Sequence, residues 1–362
     1  MPEAREHDVV VVGAGIVGLA CAWRAAQAGM SVLVLDRGAP AGSASTVAAG
    51  MLAPVTEADF GEEELLRMNL AGRAAWPAFA EELSAASGVD LAYRESGALV
   101  VAADRDDAEE LRRMCELQRS LGLGAEWLTG SACRRLEPGL SPRVRGGVLA
   151  RQDGSVDPRA VLRALRTAVT RAGAEVATGV EVRAIEELGG RVSGVGTARG
   201  SVAAAGVLVA GGAWSGSLHE SAPELRPVKG QILRLRGAPL AERVVRTPRC
   251  YVVSRKSGEI VVGATVEERG FDTTVTAGAV HRLLEAAWEV LPDVEERELV
   301  EASAGLRPAT PGNRPVVAAA GPEGLVWATG HHRNGVLLAP VAAAAAADLL
   351  AAGARTPAGS RA

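Results

Sequence analysis

The chain has 362 residues, with 39 Lys and Arg against 43 Asp and Glu, a net charge of −4, and 48% apolar residues. These values exclude a disordered, collagenous or disulfide-stapled chain, and with no long run of one sign there is no basic footprint for nucleic acid. Glycines are plentiful at 43 and aromatic residues scarce (six Trp, three Phe, two Tyr), so a core for about two domains must be filled mainly by Ala, Val and Leu.

The first apolar run starts at Val9, behind Glu3, Glu6 and Asp8, and glycines interrupt it as far as Gly29. It reads neither as a signal peptide nor as a membrane helix, which points to a cytoplasmic protein. Asp8 to Val12 is a short β-branched run suited to a strand buried on both faces. Gly13-Ala14-Gly15-Ile16-Val17-Gly18 forms a turn, Leu19 to Ala28 a helix capped by Gly29, and Ser31 to Leu35 a second strand ended by Asp36. In such a unit Gly13 permits the tight turn, Gly15 lets a pyrophosphate approach the backbone, and Gly18 lets helix pack on strand. The helix N-terminus offers its N–H groups to phosphates. Asp36 is either the carboxylate for a ribose hydroxyl or a solvated strand-end charge. The unit predicts dinucleotide binding without separating FAD from NAD.

Ser43 to Ala53 supplies small hydroxyls and then small apolar residues. It reads as a segment able to lie beside a large planar ring, or as a plain Ser/Ala loop. Next come a strand over Gly97–Ala102, a charged helix over Asp104–Gly122 and a Pro/Gly/Arg-rich return. A helix over Val161–Ala172 leads to strands at Glu175–Ala177, Glu181–Ile185 and Gly206–Ala210. The segments Gln231–Leu235, Cys250–Arg255 and Glu259–Ala264 alternate, with Lys256-Ser257-Gly258 as a hairpin turn. Gly324–Ala328 is a last strand, and Val336–Ala352 an Ala/Leu helix whose Pro340 and Asp348 favour packing over membrane crossing.

The predicted fold class is α/β: a Rossmann-like nucleotide-binding domain with an inserted, mostly antiparallel α+β substrate domain. The first takes residues 1–88, 151–224 and 303–353, the second 89–150 and 225–302, and 354–362 form a flexible tail.

Four scattered cysteines read as buried hydrophobes in a reducing compartment, and no metal-ligand spacing occurs. Arg307, held before Pro308, and Arg333, in a glycine-bounded loop, are each suited to grip a carboxylate or to form a surface ion pair. Tyr251 and Trp214 read as packing residues, and His331 and His332 as loop packing rather than acid/base groups. No Ser/His/Asp or Cys/His arrangement points to a hydrolase.

Taken in order, Ala48–Ala53, Pro227–Gly230, Cys250–Gly258, Val262–Thr265, Ala304–Pro308 and Gly330–Pro340 resemble the D-amino-acid oxidase superfamily of flavoproteins, and within it the glycine oxidases of thiamine biosynthesis. The resemblance spans Val9 to about Leu350 and implies FAD as cofactor. It implies that Gly13, Gly15, Ile16, Val17 and Gly18 hold the pyrophosphate, and Asp36 and Arg37 the adenosine end, with Val182 near the adenine. By the same resemblance, Ala44, Ser45, Ala49, Gly50 and Met51 are expected to run along the flavin side, while His331, His332, Arg333, Asn334, Gly335, Val336 and Leu337 are expected to close over the ring. The resemblance likewise implies that Arg307 clamps the substrate carboxylate, with Tyr251, Arg333, Met51 and Ala53 completing the pocket.

The implied reaction oxidises glycine to its imine with O2 as acceptor and H2O2 as product, without a catalytic acid/base side chain. The imine hydrolyses to glyoxylate and ammonia or passes to thiazole synthase. A homo-oligomer is what the family suggests, with no nucleic acid, membrane or metal. Asp36 replaces a more frequent Glu, Val266 a pocket methionine, and His332 a common aromatic. Oxidases of sarcosine, D-alanine or D-proline, a dehydrogenase with another acceptor, and a non-catalytic FAD module are the alternatives.

Overall fold

The computed structural model describes residues 7–38 and 42–354. The tail expected at 354–362 lies, from 355 on, outside the described residues. The N-terminal unit is β1 (His7–Val12), α1 (Ile16–Gln27) and β2 (Val32–Asp36). Val9 to Val12 are buried, as their β-branched run requires, and pair in parallel with β2 on one side and with Gly200–Val209 on the other. Glu175–Thr178 extends the sheet beyond β2, and Leu325–Thr329 runs parallel to Gly200–Val209. Antiparallel strands Val182–Leu188, Arg191–Thr197 and Val316–Ala319 complete eight strands.

Three helices cover this sheet: α1, Pro158–Arg171 and Gly335–Ala354, with the long Glu63–Ser87 helix packed on the last two. The Pro158 helix starts as its sequence dictates, with Pro158 in the first turn and Asp157 accepting the Arg159 N–H at 2.9 Å. The Gly335–Ala354 helix lies in a stretch long and apolar enough to cross a membrane, but half of that stretch is buried within the fold. Gly72 lets the long helix approach the Leu337 carbonyl, which also accepts the Trp76 indole N–H at 3.0 Å.

The second sheet has nine strands in the order Gly42–Ser43, Glu298–Ala309, Arg226–Arg236, Glu259–Gly263, Tyr251–Ser254, Val244–Arg246, Ala98–Ala102, Gly146–Ala150 and Ala125–Thr129. The Tyr251 and Glu259 strands form the expected hairpin, with Gly258 at φ +86°. The Glu298–Ala309 strand runs through the expected boundary at 302–303. It pairs with the Arg226–Arg236 strand along its whole length, so Arg307 and Tyr251 belong to one sheet.

Candidate active site

A cavity of about 1750 Å³ lies between the two sheets and is lined from the β1–α1 turn to Arg307. Drug-sized pockets run to roughly 300–1,000 Å³, so this one has room for a dinucleotide and a small second molecule. Of the residues expected at the site, all but Gly18 line the cavity. Gly18 instead faces the Gly13 carbonyl and Ala210, where any Cβ would push α1 off the turn.

At the nucleotide end, Gly15 is the N-cap of α1 and makes no side-chain cap. Ser45 Oγ accepts the Ile16 N–H at 3.0 Å, tying the small-residue segment to the helix start. Asp36 accepts from the N–H of Ala14 at 2.7 Å and of Gly38 at 2.9 Å. A carboxylate has about four lone-pair sites, so acceptor capacity remains for a ribose hydroxyl. Arg37 stacks 3.8 Å from the ring centroid of Trp214, making that residue part of the cavity wall rather than core.

The carbonyls of the small-residue segment are held by three arginines that sequence reasoning gave no role. Arg159 Nε and Arg234 Nη2 each donate to the Thr46 carbonyl at 3.0 Å, and Arg255 Nη2 to the Ala49 carbonyl at 2.7 Å. Glu259 pairs with both Arg234 and Arg255, and Glu301 with Arg159. Rigid carbonyls here fix the path of Ala49–Met51 along the cavity wall.

At the other end, Arg307 lies over Gly230, where a Cβ would meet its guanidinium. Its Nη1 donates to the Thr265 carbonyl at 3.1 Å, and among the described residues it has no carboxylate partner. Arg333 is different: its Nε pairs with Glu57 at 2.6 Å and its Nη2 with Glu62 at 3.0 Å. Glu57 also pairs with Arg246 at 3.1 Å. Arg246 and Arg333 are therefore neutralised from within, whereas Arg307 is left open among the described residues. The Tyr251 hydroxyl sits against Gly263, and burial raises its pKa, so it stays a donor. Val266 stands at the rim, 74% exposed.

His331 is buried, and burial pushes the pKa of both His331 and His332 down to about 4. His332 holds φ +45°, a conformation that costs a non-glycine residue about 1 kcal/mol and recurs at functional sites. Both rings are neutral above about pH 5. The pH profile of kcat/KM is therefore expected to show no histidine ionisation above that pH; an inflection lost in His332→Gln would contradict this.

His331 Nε2, His332 Nδ1 and Asn334 Nδ2 are buried on the cavity wall without hydrogen-bond partners among the described residues. Orphaned polar atoms of this kind, beside an uncapped helix start, suit the polar edge and phosphates of FAD.

Comparison with known proteins agrees with this geometry. Residues 8–349 match the family described as FAD dependent oxidoreductase (DAO). A glycine oxidase of Geobacillus kaustophilus (strain HTA426) is 33% identical over 95% of this chain and 93% of its own. A bifunctional protein ThiO/ThiG of Trichormus variabilis (strain ATCC 29413 / PCC 7937) is 33% identical over 95% of this chain, which covers 52% of that protein. The crystal structure of glycine oxidase from Geobacillus kaustophilus superposes with a TM-score of 0.90 at 32% identity, covering 96% of this chain and 95% of that one. Fold, cavity and a family match across nearly the whole length converge, and the chain belongs to the FAD dependent oxidoreductase family.

Proposed function

We propose that this protein is a glycine oxidase in which Arg307 grips the substrate carboxylate. The observation that carries the reading is the open guanidinium of Arg307, facing a chamber in which Arg246 and Arg333 are already paired with Glu57 and Glu62. A bidentate grip fixes the α-carbon in position, and alignment of this kind supplies most of what hydride transfer needs. Met51, Ala53, Gly230 and Ala264 leave little bulk on the chamber walls, which suits an amino acid without a side chain. The β1–α1 turn and the orphaned polar atoms of the cavity wall would hold FAD, which when bound would supply the hydride acceptor and the two-electron route to O2 that yields H2O2.

The residues of the chain orient and exclude rather than exchange protons. His331 and His332 are neutral, and the Glu57 carboxylate is committed to Arg246 and Arg333, so none serves as a base. Glycine with a neutral amine loses a hydride from Cα and a proton from nitrogen, and the imine hydrolyses to glyoxylate and ammonia. The bifunctional relative, whose chain extends beyond the part matched here, supports a hand-off of the imine to thiazole synthase. Four buried free thiols support a cytoplasmic site of action.

Purified holoenzyme is expected to bleach when glycine is added anaerobically, and to form one H2O2 per O2 consumed in air. A flavin that stays oxidised in glycine while sarcosine, D-alanine or D-proline bleaches it would overturn the substrate.

A further inference from the structure

Gly230 and Ile232 line the chamber, and strand alternation turns Lys229 and Gln231, which alternate with them, to the opposite face. Both are 1% exposed there, in a polar cluster that the reaction itself does not use. Gln231 Nε2 donates to Glu267 Oε1 at 2.7 Å, and its Oε1 accepts the Thr276 N–H at 2.9 Å. The Gln231 backbone N–H donates to Thr265 Oγ1 at 2.9 Å, and that hydroxyl donates to Glu267 Oε1 at 2.6 Å. Lys229 Nζ pairs with Asp272 at 2.6 Å, while its backbone N–H and carbonyl bond to those of Glu267. Segment 265–276 is thus stitched to the strand at Thr265, Glu267, Asp272 and Thr276.

The first of those stitches is the residue whose carbonyl takes Arg307. We propose that Gln231 and Glu267, acting through the Thr265 hydroxyl, are positioning residues that set the angle at which Arg307 meets the substrate carboxylate. The proposal rests on the reading of Arg307 as the carboxylate grip. A guanidinium has five N–H donors in a fixed fork. One of them is spent on Thr265, and with glycine beneath the guanidinium no side chain limits its tilt on that side. The carbonyl is then the reference point for the fork, and displacement of about 1 Å can cost about a hundredfold in rate. Fixing Thr265 at both its hydroxyl and its backbone N–H, which donates to the Gln231 carbonyl at 3.2 Å, holds that reference still.

The test uses holoenzyme with acetate as the probe, its binding read from the flavin absorbance, and thermal midpoints as the folding control. Thr265→Val keeps the shape and the carbonyl but removes the hydroxyl. It and Gln231→Leu are expected to raise the acetate Kd about tenfold, the effect of about 1.4 kcal/mol, with KM for glycine rising in step. Thr265→Ser should restore binding to within about twofold of the parent, as expected if the hydroxyl is the active group. Unchanged acetate Kd in Thr265→Val and Gln231→Leu, with only the thermal midpoint lowered, would overturn the proposal, as would failure of Thr265→Ser to rescue. Acetate binding needs no turnover, so a parent enzyme that binds acetate but leaves glycine unoxidised refutes the substrate reading alone.

Discussion

Arg307→Ala is expected to give a folded, FAD-containing protein whose kcat/KM for glycine is lower by two to three orders of magnitude, roughly the sum of a lost charge-assisted pair and lost alignment. Folding survives because Arg307 donates only to the Thr265 carbonyl and neutralises no buried carboxylate. Removing it strands no charge. Arg307→Lys keeps the charge but not the fork, and should recover only part of the loss. Arg333→Ala gives the contrasting result, since it leaves Glu57 with Arg246 alone and removes the cation paired with Glu62, loosening the segment that carries them. Steady-state kinetics on glycine, with flavin content from absorbance, distinguish the two. An Arg307→Ala enzyme with unchanged kcat/KM would remove the carboxylate grip from the reaction.

The contrast between these arginines also shows where the sequence is informative. The β1–α1–β2 unit is legible because its chemistry is local: glycine spacing, a buried β-branched run and a strand-end acid all fall within 30 residues, Gly13 through Asp36 included. The Arg307 position is legible only through its motif, and nothing near it in sequence tells it apart from Arg333. What separates them is Glu57, which reaches Arg333 and Arg246 from a loop far from both. The same holds for the arginines on the Thr46 and Ala49 carbonyls, which come from three separate elements. The long Glu63–Ser87 helix carries Pro77 in its interior and Gly72 at its contact with Leu337, two residues that local propensity scores against a helix. Packing overrides that propensity, and packing is not written in a local window.

Asp153 is the residue that propensity and motif both pass over, and its replacement has the largest expected effect on stability. It is fully buried, and its carboxylate accepts the Val55 N–H at 3.0 Å, the Thr56 N–H at 3.1 Å and the Thr56 hydroxyl at 2.7 Å. It thereby anchors the loop that presents Glu57 to Arg246 and Arg333. Asp153→Ala strands three donors and is expected to cost about 3–5 kcal/mol.

The pH dependence has a definite sign. Burial pushes the Asp153 pKa up from 3.8 to about 6 against the lowering effect of its hydrogen bonds. Between those values the unfolded chain has lost the proton that the folded chain keeps. Asp153 therefore contributes stability at low pH that is lost as pH rises, by about 3 kcal/mol at 1.36 kcal/mol per unit. His331 and His332, held near 4 against 6.5 in the unfolded chain, act the other way, and their contribution is lost as pH falls. In the parent protein Asp153 offsets part of that acid loss. Asp153→Asn cannot titrate, so its unfolding midpoint in urea should fall more steeply than the parent's as pH drops from about 6 to about 4. Parallel profiles for the two proteins over that interval would show that Asp153 is ionised throughout and that the loop is anchored without a pH cost.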